Sequence, residues 1–201
     1  MNEEQDSRQN AREEDIKCVR AFQAAGDIAA FDTLVLRYRG RIFNLCYRFL
    51  GEYEEANDCA QETFLKVFRS LGSFRGDAAF ATWVYRIAMN TCKTRVSSWD
   101  YRRKRKTVRP DDPDEDRDEM NSIPDRRASP DEAFRRSEKS RIVKEAIASL
   151  DEAHRTAVIL RDIQGFSYEE IAGITGLNEG TVKSRIARAR EALKEKLKDV
   201  I

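Results

Sequence analysis

The C-terminal stretch 167–190 constrains the fold of this chain more than any other part of its sequence. Ser167 is followed three residues later by Glu170, the spacing of a capping box, so a helix is predicted to begin there. Gly176 is the break that ends this helix, and Asn178 is the expected cap of the next one. The sequence therefore predicts two short helices joined by a tight turn.

The second of these helices has an apolar stripe and a polar face. The stripe repeats at helical spacing and consists of Val182, Ile186, Ala189 and Leu193. At about 100° per residue, the side chains that point away from it are Thr181, Ser184, Ala187 and Arg188, with Lys183, Arg185 and Arg190 on the flanks. Small, hydrogen-bonding groups at the centre with cations at the margins are typical of a helix that reads a DNA groove. The alternative is a solvated basic helix at the end of an ordinary bundle.

Composition restricts the classes of protein that fit. Charged residues make up 36% of the 201-residue chain and apolar residues 40%, which favours a soluble protein with helical cores. The net charge of +1 gives no global attraction to a polyanion, so nucleic-acid binding would require local segregation of charge. No apolar run could span a bilayer, and the acidic, polar start lacks the features of a signal peptide. We therefore expect no membrane insertion and a cytoplasmic location.

The cysteines carry no metal-binding pattern. Cys18, Cys46, Cys59 and Cys92 include no Cys-x-x-Cys pair, and the only histidine, His154, lies far from them in sequence. This spacing argues against a zinc site. Reduced, buried thiols are the favoured interpretation and a redox switch the second one, and we expect neither a metal nor a cofactor.

The chain divides into two helical parts around a hydrophilic break. Helical patterns before residue 54 are followed by predicted helices over 54–71 and 79–98. Between 100 and 130, basic and acidic runs and four prolines leave almost nothing apolar to bury, which indicates a linker. Helical patterns resume near Asp131 and again over 151–162. The predicted fold is all-α, with two small helical domains joined by a flexible linker.

The predicted helix over 54–71 has an unusual outer face. Asp58, Gln61 and Glu62 surround Leu65 on the side opposite the apolar stripe. An apolar anchor inside a polar rim is typical of a docking site. A mildly imperfect amphipathic helix is the alternative.

The following helix presents two aromatic residues that cannot share one face. Trp83 and Tyr85 lie two residues apart, about 200° around the helix axis. Tyr85 could pack with Met89 on a neighbouring helix. Alternatively, beside Arg86 and Lys93 it could offer a stacking plane for an unpaired base. The sequence leaves both possibilities open.

Three segments together resemble the bacterial extracytoplasmic-function (ECF) sigma factors of the sigma-70 family, of the sigma-E type. Residues 55–64 resemble that family's core-polymerase-binding motif, and residues 73–77 with 80–93 resemble its promoter-melting region. Residues 166–172 with 180–185 resemble its C-terminal helix-turn-helix. The resemblance covers most of residues 14–98 and 132–198, with the motifs in the family's order.

The resemblance implies a non-enzymatic initiation subunit without cofactors. Its domains would be sigma region 2 over 14–99, a charged linker over 100–131 and sigma region 4 over 132–201. Contacts with the clamp helices of core RNA polymerase would come from Asp58, Gln61, Glu62 and Leu65, and the polymerase flap is a further expected contact. The minus-10 element would be captured by Phe74, Trp83, Tyr85, Asn90 and Lys93. The minus-35 element would be read by Thr181, Lys183, Ser184, Arg185, Arg188 and Arg190. An anti-sigma factor is a further implied partner.

Three other classes fit the residues less well. A helix-turn-helix regulator that does not dock on polymerase would leave the surface around Leu65 unexplained, and the sequence has no heptad or strand pattern for dimerisation. A decoy that mimics a sigma factor would be expected to carry a receiver domain, and we expect none in this chain because its sequence has no strand pattern of useful length. An enzyme is disfavoured because we find no Gly-rich phosphate loop and no nucleophile motif.

Overall fold

The regular elements of the described chain are helical. A computed structural model describes the backbone of residues 3–98 and 130–198, and side chains over 9–98 and 138–198. The helices are α1 (Glu3–Ala25), α2 (Ile28–Leu50), α3 (Tyr53–Ser70), α4 (Phe80–Ser97), α5 (Pro130–Ala148), α6 (Glu152–Val158), α7 (Tyr168–Thr175) and α8 (Glu179–Leu197). The predicted linker lies outside the described residues, apart from the start of α5. None of the described helices combines the length and the apolar character needed to cross a bilayer.

Helices α1 to α4 enclose the first part of the core. Helix α2 begins at Asp27, whose carboxylate accepts a hydrogen bond from the Ala30 N–H, and it ends at Gly51 in the left-handed conformation with φ of 85°. Its inner stripe is fully buried against α3 and α4, at residues that include Leu34, Ile42, Leu45 and Phe49. Burial of this stripe stabilises the bundle because each large apolar side chain contributes about 1.5–3 kcal/mol.

The bounds of two helices agree with the prediction to within one residue, and a third predicted helix contains a turn of a different type. Helices α3 and α4 match the ranges expected over 54–71 and 79–98. The helix expected over 151–162 instead widens after Val158 into a π-helical turn, Ile159–Ile163, in which the Gln164 N–H donates to the Ile159 carbonyl at 2.9 Å. Apolar periodicity does not reveal such a turn, and π turns are frequent at functional sites.

The predicted helix-turn-helix is present. The Glu170 N–H donates to Ser167 Oγ at 3.1 Å, and the Ser167 N–H donates back to the Glu170 carboxylate at 2.9 Å, which completes the capping box. Gly176 ends α7 with φ of 73°, and Asn178 Oδ1 caps α8 by accepting from the Thr181 N–H at 2.8 Å. The turn thereby fixes the direction in which α8 leaves the domain.

The capping box gives a prediction on stability. We expect Ser167→Ala to lower the free energy of unfolding by about 1 kcal/mol, because the Glu170 N–H at the start of α7 loses its acceptor. Urea denaturation followed by circular dichroism measures this difference. Ser97→Ala, at the exposed end of α4, is the control and should change it by no more than about 0.5 kcal/mol. An equal loss in both variants would contradict the capping account.

The two halves of the described chain pack against each other, which the sequence analysis did not predict. Buried Arg155 donates to the carbonyls of Phe49 at 2.9 Å and Leu150 at 2.8 Å, and so joins α2 to the turn before α6. On the other side of the interface, Arg12 of α1 pairs with Glu170 of α7 at 3.0 Å. The buried apolar residues of both halves form one continuous cluster. We call this arrangement the closed form.

Candidate nucleic-acid and protein interfaces

The outer face of α3 is open to solvent in the closed form. Leu65 is 56% exposed, and exposed Asp58 and Gln61 with half-exposed Glu62 lie around it. Nearby Phe68 is instead engaged, because its ring meets those of Phe22 and Phe31 edge-on. Leu65 is therefore the apolar side chain that the face presents, inside the expected polar rim. We call these four residues, 58, 61, 62 and 65, the α3 ridge.

A residue that the sequence analysis missed organises the charges of the α3 ridge. The guanidinium of Arg95 on α4 lies 2.8 Å from the Glu55 carboxylate, 3.8 Å from that of Asp58 and 3.5 Å from that of Glu62. A hydrogen bond from Lys66 lowers the pKa of Glu62, and the charge of Arg95 lowers it further. One guanidinium shared among three carboxylates leaves the ridge acidic and holds its side chains in place.

An aromatic cluster lies at the start of α4. The Phe74 ring lies 5.0 Å from that of Trp83 and 5.9 Å from that of Phe80, measured between centroids. Gln23 fixes the loop before α4, because its side-chain amide donates to the carbonyls of Leu71 at 3.0 Å and Phe74 at 2.8 Å. Phe74 and Trp83 are each only partly buried and form one apolar surface. Such a surface can stack against unpaired bases.

Tyr85 occupies a different environment from Trp83. Its side chain is 2% exposed, its ring meets Phe166 at 4.6 Å, and its hydroxyl donates to Gln164 Oε1 at 2.8 Å. Burial raises the pKa of this hydroxyl, so it remains a neutral hydrogen-bond donor. Of the two possibilities that the sequence left open, packing describes Tyr85 in the closed form, but its partners Phe166 and Gln164 lie in the segment before α7 and not on a helix.

Asn90 and Lys93, the remaining residues predicted for the minus-10 element, lie in different surroundings. Asn90 is exposed and lies seven residues after Trp83, hence on the same side of α4. Lys93 is half-buried, with its ammonium 3.9 Å from the carboxylate of Glu152 in the C-terminal half. The structure thus brings Phe74 and Trp83 together, leaves Asn90 accessible, and places Tyr85 and Lys93 at the contact between the halves.

The outward face of α8 is accessible in the closed form. Buried Val182, Ile186 and Ala189 hold the helix against α7 and α6. On the opposite side Lys183, Ser184, Ala187 and Arg188 are exposed, whereas Thr181 and Arg185 are partly buried. Within the described part of the chain, Arg188 has no ion-pair partner. It is therefore the cation at the centre of this face that is available to a ligand.

Two other cations of α8 are held by neighbours. Arg190 is ion-paired with Asp162 at the π-helical turn, and its Nε lies 3.2 Å from Asp162 Oδ2. That hydrogen bond and charge raise the pKa of Arg190. The ammonium of Lys183 lies 3.7 Å from the Glu179 carboxylate and 5.5 Å from the centre of the Tyr168 ring. These contacts fix both cations at the margin of the helix. The spacing of residues in the sequence gave no indication that Asp162 would pair with Arg190.

Each half of the molecule matches a known protein family. Residues 34–106 match the family described as sigma-70 region 2, and residues 140–193 match sigma-70 region 4. The RNA polymerase sigma-H factor of Pseudomonas aeruginosa is 42% identical over 195 residues, which cover 94% of this chain and 97% of the relative. The ECF RNA polymerase sigma-E factor of Escherichia coli is 40% identical over 181 residues, covering 88% of this chain and 91% of the relative. This chain belongs to the ECF sigma factor family.

Solved structures give the same result for the fold of this sigma factor. CnrH, in a complex with the cytosolic domain of CnrY, matches with a TM-score of 0.64 and 27% identity, covering 91% of this chain and 97% of that one. The sigma factor RpoE of Bartonella quintana, in a complex with the anti-sigma factor NepR, matches with a TM-score of 0.63 and 25% identity, covering 85% and 98%. Both matches extend over the two halves.

Proposed function

We propose that this sigma factor binds core RNA polymerase and directs it to promoters by recognising a minus-35 and a minus-10 element. The observation that carries the proposal is that an exposed leucine in an acidic rim, the α3 ridge, and an exposed groove-reading helix, α8, occur in one chain. A regulator that acts without docking on polymerase needs α8 and leaves the ridge without a role. Membership of the family favours the sigma factor.

In this proposal the α3 ridge is the polymerase-binding surface. Leu65 would be buried in an apolar pocket of the polymerase clamp helices, and Asp58, Gln61 and Glu62 would pair with basic and polar groups around it. Arg95 supports the ridge from behind, because it restrains the carboxylates before binding and so lowers the entropic cost of association. The ridge is open in the closed form, so the first contact with polymerase requires no rearrangement of the sigma factor.

Recognition of the minus-10 element is proposed to require opening of the closed form. Phe74, Trp83 and Asn90 are accessible and would receive the first unpaired bases of the non-template strand. Tyr85 is covered by Phe166 and Lys93 faces Glu152, so both become available only when the C-terminal half moves away. Polymerase would favour the open form because it separates the two domains, which we place at 14–99 and 132–201 on either side of the linker 100–131.

Recognition of the minus-35 element is assigned to the outward face of α8. Arg188 would reach base edges in the major groove beside Thr181 and Ser184, while Arg185 and Lys183 lie nearer the margins. Arg190 would contact a phosphate after leaving Asp162. The C-terminal domain would also touch the polymerase flap.

We further propose that an anti-sigma factor regulates this chain. The related proteins CnrH and RpoE were each solved in a complex, CnrH with the cytosolic domain of CnrY and RpoE with the anti-sigma factor NepR. A partner that binds both halves of the closed form would stabilise it by mass action and keep Tyr85 covered.

The docking step has a direct test. The purified full-length chain is labelled with a fluorophore and titrated with sigma-free core RNA polymerase, and an unlabelled sigma factor of another class is then added as competitor. We expect saturable binding with one chain per polymerase and displacement by the competitor. Binding to promoter DNA with no binding to core polymerase would instead favour the regulator.

The opening step has its own prediction. Gly173 of α7 lies so close to α4 that a Cβ atom there would be 3.2 Å from Thr82 Cγ2. We therefore expect Gly173→Val to force the halves apart, to increase the radius of gyration in small-angle scattering, and to raise affinity for core polymerase about threefold to tenfold, since the cost of opening is removed.

The control for this variant is Gly40→Val, the same change in a helix where a Cβ would meet nothing within 4 Å. It should alter neither the radius of gyration nor the affinity. Circular dichroism checks that α7 remains folded in the first variant. An unchanged radius of gyration in a folded Gly173→Val protein would contradict the proposed opening.

A further inference from the structure

Three cysteines from three different helices meet in the core of the N-terminal half. Cys46 of α2, Cys59 of α3 and Cys92 of α4 are each 0% exposed. The sulfur of Cys92 lies 3.5 Å from that of Cys59 and 3.6 Å from that of Cys46, and the three sulfurs all lie within 4.8 Å of one another. We call these residues the cysteine triad. Their separation in sequence hid this convergence, since a zinc motif is recognised by short spacings.

The geometry of the triad suits a three-coordinate thiolate centre. Sulfurs bound at about 2.3 Å in a trigonal arrangement are about 4 Å apart, and a pyramidal centre brings them somewhat closer. The observed separations therefore need only small side-chain rotations to accept a central atom. Among the described residues, no histidine or carboxylate joins the three sulfurs, whereas structural zinc sites almost always have four ligands.

Charge decides which central atom fits. Three thiolates around Zn²⁺ carry a net charge of −1, and around Cu⁺ a charge of −2. Arg95, a cation whose charge acts on Cys59, is already shared among the carboxylates of Glu55, Asp58 and Glu62. An uncompensated charge in a sealed apolar core is strongly unfavourable. A trivalent thiophilic atom forms a neutral complex with three thiolates and avoids this cost.

We propose that the cysteine triad is a binding site for a trivalent, thiophilic oxyacid of the arsenous acid type. In the reaction, As(OH)₃ and three thiols give As(SCys)₃ and three molecules of water. Each thiol sulfur forms a bond to arsenic, each As–OH bond breaks, and each thiol proton leaves with the departing hydroxide as water. Arsenic and sulfur keep their oxidation states, so no oxidant or reductant is required.

Binding would link α2, α3 and α4 through one atom. Arsenic binding would stabilise the folded N-terminal half by mass action, because the unfolded chain does not hold the three sulfurs together and so binds arsenic less tightly. Since the triad is sealed, uptake requires transient opening of the bundle, and its rate should follow the rate of that opening. This inference does not depend on the proposed polymerase docking, because neither the uptake of arsenic nor its binding by the three thiols involves the α3 ridge.

The test uses the full-length, fully reduced chain and sodium arsenite as the probe. The chain is incubated with arsenite, natively and also during refolding from urea, and is then desalted. Retained arsenic is measured by elemental mass spectrometry and native mass spectrometry. We expect one arsenic per chain, seen as a mass gain of one arsenic less three protons, with an increase of several degrees in the thermal midpoint.

Matched variants separate the triad from ordinary thiol chemistry. Cys18→Ala removes the partly exposed cysteine of α1 and should retain one arsenic per chain. Cys46→Ala, Cys59→Ala and Cys92→Ala should each reduce retention to about one tenth or less, because a two-coordinate arsenic exchanges more readily. Circular dichroism identifies the variants that keep their helices, and only these are compared.

Three results would overturn the proposal. The first is that the wild-type chain retains no arsenic even after refolding with arsenite. The second is equal retention in folded triad variants, which would indicate binding elsewhere. The third is that Zn²⁺ alone is retained one per chain in a triad-dependent manner while arsenite is not, which would contradict the argument from charge.

Discussion

The double variant Leu65→Ala with Asp58→Lys should lose about a hundredfold in affinity for core RNA polymerase. Truncating a buried anchor commonly costs about 2 kcal/mol, and reversing a rim charge also slows association. Stability should change little, because Leu65 is 56% exposed and the carboxylate of Asp58 lies 3.8 Å from Arg95 at an exposed position. Fluorescence anisotropy with labelled chain measures the affinity, and thermal melting measures the stability.

A matched pair on another helix provides the control. Leu36 of α2 is 62% exposed, and exposed Asp32 lies one turn before it. Leu36→Ala with Asp32→Lys removes the same groups from a different surface and should leave affinity within about threefold. Equal losses in the two double variants would indicate a general effect of charge and hydrophobicity. Unfolding of the first variant would instead place Leu65 in the core.

The second large effect is expected at α8. Arg188→Ala should cost about 1–3 kcal/mol on the preferred minus-35 sequence and should relax discrimination at one or two base pairs, because Arg188 lies at the centre of the outward face and has no ion-pair partner among the described residues. The measurement is binding to a panel of minus-35 variants at several salt concentrations. The holoenzyme is used, so that the closed form does not limit binding.

Arg190→Ala is the comparison for this variant. Asp162 holds Arg190 at the margin, so its loss should weaken binding about equally on all sequences and reduce the salt slope by about one. Lys183 lies seven residues before Arg190, hence at the same margin, and is a further test of the same geometry. A uniform loss for Arg188→Ala with a sequence-dependent loss for Arg190→Ala would mean that the helix is rotated in the groove from the arrangement given above.

Local sequence signals predicted the elements well. The capping box at Ser167, the left-handed Gly176 and the cap at Asn178 are formed by side chains and backbone within four residues, so their outcome depends little on the rest of the chain. The bounds of α3 and α4 follow from amphipathic periodicity in the same way. The exposure of Leu65 was also predicted, because the apolar stripe of α3 determines which face must turn outward.

Features that depend on packing between distant segments were not predictable. Nothing near Tyr85 in sequence indicates that Phe166 and Gln164 will cover it, since that contact requires the π-helical turn and the closed arrangement of the two halves. Arg95 reaches the α3 ridge only because α4 lies antiparallel behind it. The same reason applies to the cysteines, whose spacing argued against a metal site while the tertiary fold brings three of them together.

The central claim is that this chain gives core RNA polymerase its promoter specificity. The most direct measurement is transcription from fragmented genomic DNA by sigma-free core polymerase with and without the purified chain, with sequencing of the RNA 5′ ends. We expect the chain to produce new start sites that share one minus-10 and one minus-35 sequence, and we expect the Leu65→Ala with Asp58→Lys variant to abolish them. If the chain still binds DNA but the start sites are identical to those of core polymerase alone, the claim that it confers promoter specificity is contradicted.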